Sequence, residues 1–192
     1  MRVIYRIYES SEQIPVYDYI SRRKLVKYFT RETMAAMVCA GELLKERKPL
    51  PETPFFYSSS ELEMMEIYNE ACSAFDSDSH NFTSSGFMER ALPVISPLSH
   101  FKSMRNMTHC FISIEHGFKG DNASLIGSAS GLLLCAMLST TARNIIIGAG
   151  KLHADGTAEA GFAEVTSSEL AGNKFLESNE DAISFFRVYH NI

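Results

Sequence analysis

The stretch from Asn122 to Gly148 constrains the fold more than any other part of this sequence. It reads N-A-S-L-I, a short apolar strand, then the small-residue turn G-S-A-S-G. An apolar helix over Leu132–Ser139 and a second strand over Asn144–Gly148 follow. Strand, helix and strand in succession predict a crossover unit, whose two strands lie parallel in one sheet. The remaining segments extend that pattern. Residues 2–8 alternate β-branched and aromatic side chains with Arg and read as a strand. Thr30 is a candidate N-cap for a helix over Arg31–Glu46, with Met34, Met37, Val38, Ala40, Gly41 and Leu44 as its apolar stripe.

Pro54–Tyr57 reads as a short buried strand, and Glu61–Phe75 as a helix with Leu62, Met65, Ile67, Tyr68 and Cys72 on its apolar side. Residues 76–90, rich in Asp, Ser, Asn and Gly, read as a surface loop. Phe101–Ile114 reads as helical, and Phe162–Val165 and Ile183–Tyr189 as two closing strands. The order β-α-β-α-α-β-α-β-β predicts an α/β fold, layered, with a mostly parallel mixed sheet covered by helices. No repeat or linker interrupts it, so residues 1–192 are expected to form one domain.

Composition narrows the partners. A formal charge of -5 argues against a nucleic-acid surface, which needs net positive charge. The short basic group Arg22, Arg23, Lys24 and Lys27 reads as a solvated helix flank. Cys39, Cys72, Cys110 and Cys135 are widely spaced, with no metal-ligand pattern, and are expected to be reduced thiols in a cytoplasmic protein. No apolar run reaches about 18 residues, so no membrane span is expected. The charged start M-R-V-I-Y-R does not read as a signal peptide.

The turn at residues 127–131 raises the question of chemistry. A strand-to-helix turn is where a hydrolase seats its nucleophile, because a helix N-terminus stabilises negative charge. The elbow pattern requires serine at the centre of G-x-S-x-G, whereas Gly127-Ser128-Ala129-Ser130-Gly131 has alanine there. Two readings stay open: Ser128 and Ser130 cap and pack the helix, or one of them transfers acyl groups with His116 or His153 as base. Glu115 and Asp121 would then be candidates to orient the base. Gly148-Ala149-Gly150 lacks the further glycine and following helix of a dinucleotide fingerprint. Phe101, Met104, Met107 and Phe111 form a stripe that serves either as core or as the lining of an apolar tunnel.

The segment 96–131 also resembles the N-terminal half of the β-ketoacyl synthases of the thiolase-like superfamily. The resemblance rests on Ser96-Pro97, Asn106, Ile112-Ser113-Ile114, Gly117, Lys119, Gly120 and Asn122, with further similarity at Phe29–Leu44 and Asn144–Gly150; it spans roughly residues 25–170 and is strong over 96–150. It implies a thiolase-like half-fold. The family's nucleophilic cysteine falls at Ala129, or at Ser128 with a one-residue gap, and neither is cysteine. Cys135 lies about 9 Å further along the helix. The paired histidines of the family belong to a second half that these residues do not reach.

The resemblance therefore implies a non-catalytic subunit without cofactor or metal, similar to a chain length factor of type II polyketide or aryl polyene synthesis. Such a subunit forms a heterodimer with a β-ketoacyl synthase and meets acyl carrier protein only indirectly. Phe101, Met104, Met107, Thr108 and Phe111 would line the acyl tunnel. Asn106, Asn122, Ala123, Ser124, Leu125, Ile126, Gly127, Ser128 and Ser130 would form the subunit interface. A stand-alone scaffold of the same fold is the remaining alternative.

Overall fold

Ile145–Leu152 (β4) is buried along most of its length, with Ile146 facing one layer and Ile145 and Ile147 the other. A continuous apolar run of this kind suits a strand covered on both faces. The computed structural model describes residues 1–59, 65–73, 83–97, 101–102, 104–139 and 144–190. Around β4 lie Arg2–Tyr8 (β1), Phe55–Ser59 (β2), Asn122–Ile126 (β3) and Ala158–Val165 (β5), in the sheet order β1-β5-β4-β2-β3. The β2–β3 and β2–β4 pairs are parallel, and the β1–β5 and β4–β5 pairs antiparallel. The fold is α/β, with a mixed sheet between helical layers.

Helix α1 (Arg31–Leu44) starts at Thr30, whose hydroxyl accepts the Thr33 amide at 3.0 Å. It packs with α3 (Met107–His116) on one face of the sheet, against Phe55, Tyr57, Ile146 and Phe162. Helices α4 (Ala129–Leu138) and α5 (Ala182–Tyr189) cover the other face, against Phe56, Ile145, Ile147 and Val165. Topology explains the split. The step from β2 to β3 runs one way across the sheet, and the step from β3 back past β2 to β4 runs the other. Right-handed crossovers then put α3 and α4 on opposite faces. Each fully buried aromatic or aliphatic side chain in these layers contributes about 1.5–3 kcal/mol.

Three expectations are corrected. Ile183–Tyr189 belongs to helix α5: Ala182, Ile183, Phe185 and Phe186 are buried while Arg187 and Val188 are exposed, a helical period. Within the expected loop over residues 76–90, Ser84–Gly86 is helical and runs into a π-helical turn at Phe87–Ala91, capped by the Thr83 hydroxyl. Residues 76–82 of that loop lie outside the described residues. In α2 (Met65–Ser73), Tyr68 and Cys72 are exposed instead of facing inward. The Ile112-Ser113-Ile114 run that helped carry the resemblance lies inside helix α3, in line with the helical reading of that segment.

Candidate functional site

The carboxyl ends of β2, β3 and β4 meet at one edge, where Ser59 stands level with Ile126 and with Gly150. Crossovers leave that edge in opposite directions, which is where open α/β sheets form ligand crevices. Two features lie there, one on each face of the sheet.

On the α4 face is the turn. Gly127 adopts φ 105°, which a side chain would strain, and brings the chain round to Ser128 as N-cap of α4. The Ser128 hydroxyl accepts the Gly131 amide at 3.2 Å and lies 3.1 Å from the Ser130 hydroxyl. A segment fifty residues later clamps the same turn. The Ala129 amide donates to the Glu180 carbonyl at 2.8 Å, and the Ala182 amide donates to the Gly127 carbonyl at 2.9 Å. Lys151 fastens Asp181 at 2.8 Å. Ala129 itself is fully buried. The leading amide of α4, which could hold an anion, is thus occupied by the protein's own backbone.

The two candidate bases lie on other elements. His153 hydrogen-bonds to the buried Glu159 carboxylate, which also receives the Tyr5 hydroxyl and the Arg187 guanidinium. His116 lies at the C-terminal end of α3 beside Phe118. The Glu115 carboxylate accepts the Ser21 amide at 2.7 Å, and Asp121 is exposed just before β3. Ser128 caps α4 and the Ser130 hydroxyl pairs with it, with neither histidine among their hydrogen-bond partners.

On the α1 face is a cavity of about 20 Å³, room for a single water. Phe101, Met104, Met107 and Thr108, four of the residues read from the sequence as a lining, do line it together. Phe111 does not; it packs in the core against Phe29 with ring centroids 4.8 Å apart. A hydroxyl chain walls one side, with Thr30 and Thr33 at 2.9 Å and Thr33 and Thr108 at 2.7 Å.

The same cavity holds residues that sequence reasoning missed. Glu32, in the first turn of α1, is 4% exposed and accepts the Tyr57 hydroxyl at 2.7 Å and the Ser59 hydroxyl at 3.1 Å. Burial, reinforced by the Glu32 charge and their hydrogen bond, pushes the Tyr57 hydroxyl pKa far above its ordinary value. Gly150 makes this arrangement possible, since a Cβ there would lie 2.2 Å from the Tyr57 oxygen and 2.6 Å from Glu32 Cγ. The weak glycine signal at 148–150 was therefore the available clue to a large polar group approaching the strand.

The residues expected at an interface line one border of the sheet. Strand β3 pairs only with β2 among the described residues, leaving its outer edge open. Ala123 and Leu125 pack inward against the α4 layer, while Ile126 is 63% exposed. The Asn122 side chain donates to the Gly120 carbonyl at 2.8 Å, and the exposed Asn106 reaches toward Cys110. The Ser124 hydroxyl touches the Arg105 carbonyl at 3.5 Å, tying the segment that walls the cavity to the open strand. Among the described residues, no helix is long and apolar enough to cross a membrane.

No family model matches this sequence, and no curated protein matches it. Among solved structures, the chain is similar to the ketosynthase from module 1 of the bacillaene synthase from Bacillus amyloliquefaciens, at 13% identity and a TM-score of 0.47. The match covers 86% of this chain and 33% of that one, so the chain spans about a third of its length.

Proposed function

We propose that this chain is a ketosynthase-related, thiolase-like subunit that performs no acyl transfer itself and docks through β3 onto a β-ketoacyl synthase. There it would shape or brace the partner's acyl tunnel, as a chain length factor does, with acyl carrier protein met only through that partner. The observation that carries the reading is that, among the described residues, β3 pairs on one side only. A strand with one unpaired side calls for cover, more so where Ile126 is exposed and the adjoining α4 leaves Leu134 and Leu138 exposed. The capping role of Ser128 and the burial of Ala129 support the non-catalytic part. The tunnel part is supported by the link from Ser124 to Arg105, which sets the cavity wall beside the docking strand.

The test is co-expression of the tagged chain with β-ketoacyl synthases of its host, followed by gel filtration. The expected outcome is a stable complex that Ile126→Lys dissociates without unfolding the chain. Elution of this chain alone from every such co-expression would refute the proposal.

A further inference from the structure

Away from the turn and the β3 edge, a cleft of about 610 Å³ opens between the second half of α1, the end of α3 and residues 18–21. Asp18, Tyr19, Ser21, Lys45, Glu115 and His116 line it, with Leu44 and Ile20 as apolar surface. Two polar atoms in its wall are unaccounted for. Glu115 Oε1 accepts the Ser21 amide at 2.7 Å, whereas Oε2 is buried without a partner. His116 Nε2 is buried and equally without a partner. Buried polar groups are nearly always hydrogen-bonded, so two neighbouring exceptions in one cleft point to a missing occupant.

The chemistry of the wall selects that occupant. A carboxylate oxygen only accepts hydrogen bonds. Burial pushes the His116 pKa down, against the pull of the neighbouring Glu115 charge, which favours the neutral imidazole; its Nδ1–H tautomer offers a lone pair at Nε2. Two carboxylates, Asp18 and Glu115, share the wall with Lys45, the Lys48 charge also reaches His116, and neither acid has an ion pair among the described residues. An anion at the unpartnered Oε2 would meet a carboxylate, and an alcohol has one proton for two acceptors. No group of three or more metal-ligating side chains occurs among the described residues. A primary ammonium has three N–H donors and a positive charge.

We propose that this cleft binds a primary alkylammonium group, which donates to Glu115 Oε2 and His116 Nε2 and lays its carbon stem along Leu44 and Ile20. The group could belong to a free small amine or to a lysine side chain of another protein, and the probes separate the two.

The experiment is amide-resolved NMR titration of the full chain with n-butylammonium, using 1-butanol and butyrate as controls of the same shape. Saturable shifts at Ser21, Gly41 and Lys45 with the ammonium alone are expected. Glu115→Gln retains an oxygen for the Ser21 amide and should weaken binding about tenfold, the loss of one charge-assisted hydrogen bond. His116→Phe, which removes the acceptor, should also weaken it. Nα-acetyl-lysine methylamide binding more tightly than n-butylammonium would indicate a protein lysine; the reverse order would indicate a free amine. Absence of saturable shifts, leaving water alone in the cleft, overturns the proposal. Equal shifts from 1-butanol or butyrate, or unchanged binding by both folded variants, do the same.

Discussion

At the scale of single residues, the polar side chains described at the carboxyl edge are committed to capping helices or to one another. Ser128→Ala removes a helix cap and should lower stability by about 1 kcal/mol in chemical denaturation. It should leave condensation by a reconstituted complex intact; lost turnover in an intact complex would instead make Ser128 a participant. Tyr57→Phe deletes a donor to the buried Glu32 carboxylate and should cost about 1–3 kcal/mol by the same measurement. Caps were legible in the sequence because they are local: Thr30 and Ser128 lie within three residues of the amides they accept. Glu32 was not legible. Its hydroxyl partners on β2 lie 25 and 27 residues away, and a glutamate in a first helical turn is ordinarily solvated.

At the scale of elements, β2, β3 and β4 were readable as short apolar runs, and α1 as a stripe with a cap. Helix α5 was misread because Ile183, Phe185, Phe186 and Val188 favour strands by type. Tertiary packing decided otherwise: the layer over β4 and β5 accepts a helix, whose stripe buries Ile183 and Phe186 one turn apart. Phe186→Ala should therefore cost about 3–5 kcal/mol, read as a lowered denaturation midpoint. In the α3 region, Met104 is 44% exposed although it lines the cavity, so its size can change without unfolding the chain. If the cavity wall shapes a partner's tunnel, Met104→Trp should shorten the product of the reconstituted complex, as mass spectrometry of the released acyl chains would show.

At the scale of the whole molecule, acid should weaken the fold in two stages. His109 is buried, stacked on Phe55, and its pKa is pushed below its ordinary value by burial, as is that of His116. The unfolded chain then binds more protons than the folded one, so stability falls as pH drops below about 6.5. Burial alone would raise the Glu159 pKa, but the hydrogen bonds from Arg187, Tyr5 and His153 outweigh it and hold it down at about 2. That contribution is complete above the ordinary carboxyl value of 4.5 and is lost as pH falls toward about 2. Melting midpoints followed across this range should show both stages, and Glu159→Gln should abolish the second.

The clamp of residues 180–182 on the turn bears on any attempt to make this chain an enzyme. Writing cysteine at position 129 would place sulfur in a site with no exposed surface, beneath an amide already bonded to Glu180. Burial disfavours the thiolate, so such a thiol should resist iodoacetamide until the chain is denatured. Reviving a nucleophile here requires redesigning the segment 180–182 that holds the turn shut, because the obstacle is the lock rather than the missing atom.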